Sequence, residues 1–71
     1  MIAKTEPALT LRELEVVTLL VDGSTNKQIA KRCKIATSTA KFHVDNLFKK
    51  FAVDNRTKLA VAALRQRVVA L

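Results

Sequence analysis

The chain has 71 residues, of which 49% are hydrophobic and 27% charged, with a formal net charge of +7. That length holds one small domain, and a single core of this size supplies only about 3 to 5 kcal/mol without staples or a partner subunit, so assembly is expected. One cysteine and one histidine allow neither an internal disulfide nor a zinc site, and no apolar run fits a signal peptide or a membrane span, so the expectation is a cytoplasmic protein with no metal, cofactor or membrane partner.

Residues 1–8 read as a flexible N-terminal arm, and 9–71 as the domain. Thr10-Leu11-Arg12-Glu13 fits a capping box, in which Thr10 accepts a backbone N–H and Glu13 reaches back, with Leu9 placed to staple onto Leu14. Leu14, Val17, Leu20 and Val21 then form an apolar stripe, and Gly23 closes the helix by tolerating positive φ. Thr25 to Gln28 repeats the capping box for a second helix, with Ile29, Ala30 and Cys33 on one face and Lys27, Lys31, Arg32 and Lys34 mostly elsewhere. The small Ala30 suits two helices crossing within a turn of about three or four residues, and Ile35 plugs that turn from inside. Cys33, at helical spacing from Ile29 and Ala30, reads as a buried thiol.

In a third helix over about 37–51, Ala40, Val44, Leu47, Phe48 and Phe51 form one continuous core stripe. At about 100° per residue, Ser38, Phe42, Asp45 and Lys49 fall opposite that stripe, flanked by Lys41 and Asn46. A Phe directed away from the core is either singly exposed, packed on a neighbouring subunit or set against a DNA base, and its place on a polar face favours the last. Two helices joined by a tight turn, the second with an unsatisfied polar face, make the pattern of a helix-turn-helix, whose second helix enters the DNA major groove. Charge agrees: residues 24–50 carry seven Lys or Arg against Asp45 alone, whereas residues 1–23 carry four acidic residues against two basic. His43, at the edge of the core stripe, reads as bonding locally or to a phosphate. No nucleophile, carboxylate pair or phosphate-binding glycine loop accompanies it, so an enzyme is not expected.

A fourth helix runs from about Asn55, a good N-cap, towards the C-terminus. Leu59, Ala62, Ala63 and Ala70 lie on one side, and Val61, Leu64, Val68 and Leu71 on the other. A helix apolar on both sides buries only one of them within so small a domain. The second set is therefore either a dimer surface or a frayed, sticky terminus, and the size argument favours the dimer.

These residues together resemble the C-terminal DNA-binding domain of the LuxR/FixJ family of bacterial transcription regulators, the GerE-like four-helix domain, over about residues 9–69. Leu9-Thr10, Arg12-Glu13 and Val16 match the family's opening, Gly23, Asn26-Lys27 and Ile29-Ala30 its central block, and Ile35, Thr39, Lys41, His43, Asn46, Lys50, Val53 and Arg56 the remainder. The resemblance implies an all-α, four-helix LuxR-type helix-turn-helix domain. It also implies that Lys41 and Phe42 meet bases or the backbone near them. Asn26, Lys27, Thr39 and Lys49 would hold phosphates, a role that suits donors and cations. The partners expected are double-stranded DNA, a second copy bound through the C-terminal helix and, left open, RNA polymerase.

Three departures from the family pattern stand out. Ala36 replaces the serine that usually caps the recognition helix, so Thr37 or Ser38 is expected to cap instead. Asp45 takes a groove-facing position where relatives often carry Lys or a neutral residue, and its carboxylate repels phosphate but can accept from cytosine N4. Arg67 replaces the glycine that usually stops the last helix, which is therefore expected to run longer. The function expected is sequence-specific binding of double-stranded DNA by a bacterial transcriptional regulator, either stand-alone or the output domain of a longer one. A protein-interaction module or a domain like region 4 of a sigma factor is the alternative.

Overall fold

The computed structural model describes residues 8–69, and among them the four expected helices and no strand: α1 (Leu11–Val21), α2 (Asn26–Cys33), α3 (Thr37–Phe51) and α4 (Arg56–Arg65). Apart from Ala8, the expected arm lies outside the described residues, as do Ala70 and Leu71. Both capping boxes form: Thr10 Oγ1 accepts from the Glu13 amide while Glu13 Oε1 accepts from the Thr10 amide, and Thr25 and Gln28 do the same for α2. Gly23, at φ 96°, ends α1, with its amide on the Leu20 carbonyl and the Ser24 amide on that of Leu19. This paired closure satisfies carbonyls that the helix end leaves orphaned, and a Cβ is disfavoured at that φ.

α1 and α3 form the centre, each packed against the three other helices. The core they share takes Val16, Val17 and Leu20 from α1, Ala40, Val44, Leu47 and Phe51 from α3, Ile29, Ala30 and Cys33 from α2, and Leu59 and Ala63 from α4. The α2 and α3 stripes match the expected ones, with Phe48 and Ile35 half-buried against them. On α1 the face is rotated. Glu13, Val16, Val17 and Leu20 are buried, while Leu14 is exposed and Leu9 packs on the core without it. The true face begins with a carboxylate at the first position of an i, i+3, i+4, i+7 series, and a buried Glu is invisible to a search for apolar periodicity.

Two helix ends also differ from expectation. Neither Thr37 nor Ser38 caps α3: Ala36 itself is the N-cap, in an extended conformation (φ −70°, ψ 153°) and with no side-chain hydrogen bond, so the helix begins at Thr37 without shifting. The core stripe fixes this start. And α4 stops at Arg65 rather than running on, because Arg67 takes the left-handed conformation (φ 59°) despite carrying a Cβ. Its amide bonds to the Leu64 carbonyl and that of Val68 to Ala63, which turns the chain so that Val69 is buried against the core. Burial of that side chain offsets the roughly 1 to 2 kcal/mol that a non-glycine residue costs there.

Candidate nucleic-acid interface

Long-range polar contacts hold the helix-turn-helix in place. Lys50 near the end of α3 donates to Glu13 Oε1 at 2.6 Å and to the Ala8 carbonyl at 3.0 Å, so one ammonium ties the last turn of α3 to the first turn of α1. Burial on its own pushes the Glu13 carboxyl up. The hydrogen bond from Lys50, that from the Thr10 amide and the Lys50 charge outweigh it, and hold the group below the usual carboxylate value. Arg12 places a guanidinium on the Cys33 carbonyl at 3.0 Å, a cation at the negative C-terminal end of α2. Arg56, the first residue of α4, donates at 2.7 Å to Asn26 Oδ1 and at 2.7 Å to the Ser24 carbonyl, which anchors the start of α2.

With one face of α3 closed onto the core, the opposite face projects outward. Ser38, Lys41, Phe42 and Lys49 are exposed, and Thr39, Asp45 and Asn46 are half-exposed beside them. Phe42 is 60% exposed and packs edge-on against His43, with ring centroids 5.9 Å apart. Lys41 Nζ lies 3.1 Å from Asp45 Oδ2, one helical turn on. At the start of α2, Lys27 is exposed, and half-buried Asn26 accepts from Arg56 through its oxygen, so its amide group is the part free to donate outward. The expected α3 residues thus share one surface, while Asn26 and Lys27 stand on α2. The four residues expected at a dimer surface separate: Val61 is exposed, Leu64 and Val68 pack against the domain's own core, Val68 lies past the end of α4, and Leu71 is outside the described residues. Among the described residues no group of His, Cys, Asp and Glu could hold a metal, and no helix is long and apolar enough to cross a membrane.

Periodicity does not single out the positioning residues Arg12, Lys50 and Arg56, since their contacts span 21 to 42 residues of sequence. Local spacing carries no signal for such contacts. All three, Arg12, Lys50 and Arg56, stand among the residues that carry the family resemblance.

The family model for bacterial regulatory proteins of the luxR family, GerE, matches residues 7–63. The chain belongs to that family. It is 42% identical over 62 residues to the transcriptional regulatory protein LiaR of Bacillus subtilis, covering 87% of this chain and 29% of LiaR. The solved structure of the transcription factor GerE superposes with a TM-score of 0.81 at 32% identity, covering 87% of this chain and 92% of GerE. The Vibrio cholera VqmA–ligand–DNA complex superposes with a TM-score of 0.85 at 27% identity, covering all of this chain and 31% of VqmA. The chain thus spans less than a third of LiaR and of VqmA. As a member of a family of transcriptional regulators, it is a DNA-binding regulatory domain of the LuxR type and not an enzyme.

Proposed function

We propose that residues 9–71 form a sequence-specific DNA-binding domain that lays α3 in the major groove of double-stranded DNA and acts in bacterial transcription regulation. The observation that carries this reading is the outward face of α3, where Ser38, Lys41, Phe42, Asp45 and Lys49 stand clear of the core on the most basic segment of the chain. A helix presented this way on the second arm of a helix-turn-helix fits the groove, and its cations answer the charge of the duplex. In this reading Lys41, Phe42, Asp45 and Asn46 face base edges, and Asn26, Lys27, Ser38, Thr39 and Lys49 face the phosphates that set its register. VqmA, which shares the fold, is described in complex with DNA.

Assembly into a homodimer through the outer side of α4 is part of the same reading. Its support is the exposed Val61, set in a groove between Val53, Thr57, Ala62, Arg65 and Gln66, together with the thin core that so short a domain can build. RNA polymerase is a further partner in keeping with a transcription regulator. A salt titration of binding to random and promoter-derived duplexes tests the whole proposal. Affinity is expected to fall steeply with salt and to be higher for the promoter sequence, whereas an affinity indifferent to salt overturns it.

A further inference from the structure

Asp45 is the only carboxylate between Ser24 and Lys50, and it stands on the outward face of α3 among Ser38, Lys41, Phe42 and Lys49. Stability does not explain it. Asp is a poor residue for a helix interior, an exposed i, i+4 pair is weak, and Lys placed N-terminal to the acid is the less favourable order. Near DNA a lone carboxylate also repels phosphate. Yet it is not alone: Lys41 Nζ sits 3.1 Å from Asp45 Oδ2, with the two side chains 67% and 46% exposed.

We infer that Lys41 and Asp45 act as one donor–acceptor dyad that reads a G·C pair in the major groove, which makes Asp45 a specificity-determining residue. The inference rests on α3 being the recognition helix. After bonding to each other, the ammonium keeps two N–H donors and the carboxylate keeps free lone pairs, so the pair presents a donor and an acceptor side by side. In the major groove a G·C pair offers guanine O6 next to the cytosine N4 amino group. Those two atoms are joined by an N–H···O bond of about 2.9 Å, close to the Nζ–Oδ2 separation of 3.1 Å. Lys41 can therefore face O6 while Asp45 faces N4, without breaking the bond between them.

The dyad has direction, and direction gives discrimination. Turned to C·G or A·T, it sets the ammonium against an amino group and the carboxylate against a carbonyl. Over T·A the order of acceptor and donor is right, but a methyl stands where guanine presents N7, so the ammonium loses its second acceptor. A lysine without the aspartate would bond to guanine, thymine or a phosphate with little preference. Asp45 thus also withholds Lys41 from the DNA backbone.

The test is selection from a random duplex pool, run in one buffer with the parent chain, Asp45→Ala, Lys41→Met and the double variant, alongside affinity for a random duplex as a function of salt. The parent is expected to select a G·C column that Asp45→Ala weakens by about 5- to 150-fold in discrimination, the range for losing one good base contact. Asp45→Ala should also bind the random duplex more tightly, with a salt slope steeper by about 0.9. In the Lys41→Met background, removing Asp45 should not change base preference further, because the two act as a unit. Both positions face outward, and circular dichroism checks that the fold is kept. If Asp45→Ala selects the same sequences as the parent, the dyad is wrong while the recognition helix stands. If the parent shows no salt-dependent binding to duplex DNA, both readings fall.

Discussion

Arg56 Nη1 lies 2.7 Å from Asn26 Oδ1 while Nη2 lies 2.7 Å from the Ser24 carbonyl, so the first turn of α4 holds the first turn of α2. The two contacts use the planar fork of a guanidinium, which a lysine cannot reproduce. They also set the orientation of Asn26, whose oxygen is held by Arg56 and whose amide group is left to donate elsewhere.

Replacing Arg56 by Met is accordingly expected to lower stability by about 2 to 3 kcal/mol, the range for losing charge-assisted hydrogen bonds, as read by urea unfolding. Affinity for duplex DNA should fall with it, and Arg56→Lys should recover only part of either. An Arg56→Met variant with parental stability and affinity would show that the fork is incidental.

Glu13 makes stability depend on acidity. Its carboxyl is held below the ordinary value in the folded chain, so its contribution is fully present above the unfolded-state pKa of about 4.3 and is lost as pH falls through the lower folded value. Glu13→Gln should be less stable than the parent at neutral pH by about 1 to 3 kcal/mol, because it leaves Lys50 without its counter-charge. The two should converge as pH drops below about 4.3. Parallel unfolding curves across that window would place the pH dependence elsewhere.

The uncapped start of α3 is open to improvement. Ala36 already has the extended backbone of an N-cap and lacks only the acceptor, so Ala36→Ser should add about 1 kcal/mol, or roughly 4 to 8 °C in Tm. Thermal unfolding measures this directly. No gain in Tm would mean that the first amides of α3 already find partners.

Most of this architecture was legible in the sequence because it is written in local chemistry. The two capping boxes, Gly23 and the stripe from Ala40 to Phe51 each speak through neighbours within about three turns of helix, and the structure keeps them where the spacing put them. What the sequence hid was decided across the fold. Apolar spacing sets the α1 face one position away from the buried one because Glu13 depends on Lys50, and it carries α4 too far because burial of Val69 makes a left-handed Arg67 tolerable. The outward residues of α3 followed from the stripe alone, but the pairing of Lys41 with Asp45 gives that face a character that a count of cations does not.

Affinity and specificity on α3 should separate by residue. Lys49→Ala, which removes an exposed cation proposed to meet phosphate, is expected to weaken binding to all duplexes alike and to reduce the salt slope by about 0.9. Phe42→Ala should cost about 1 to 3 kcal/mol of preference for the selected site, through lost apolar contact such as with a thymine methyl, and should leave the salt slope unchanged. Competition assays with selected and random duplexes resolve the two. If Phe42→Ala keeps the parental discrimination, the exposed ring serves something other than base reading.

Assembly is the last expectation, and the structure narrows where it can be tested. Leu64 and Val68 face the domain's own core, so altering them would confuse folding with pairing, whereas Val61 is 39% exposed and opens onto the groove beside Val53 and Ala62. A two-fold axis through this side of α4 would set two copies of α3 on successive major grooves about 34 Å apart and favour an inverted repeat. A patch this small makes a weak dimer in free solution, one formed chiefly when DNA brings two copies together. Val61→Glu should therefore abolish cooperative binding to a duplex with two half-sites, leave binding to a single half-site within about twofold, and unfold at the parental temperature. Retained cooperativity in that variant would move the dimer surface away from α4.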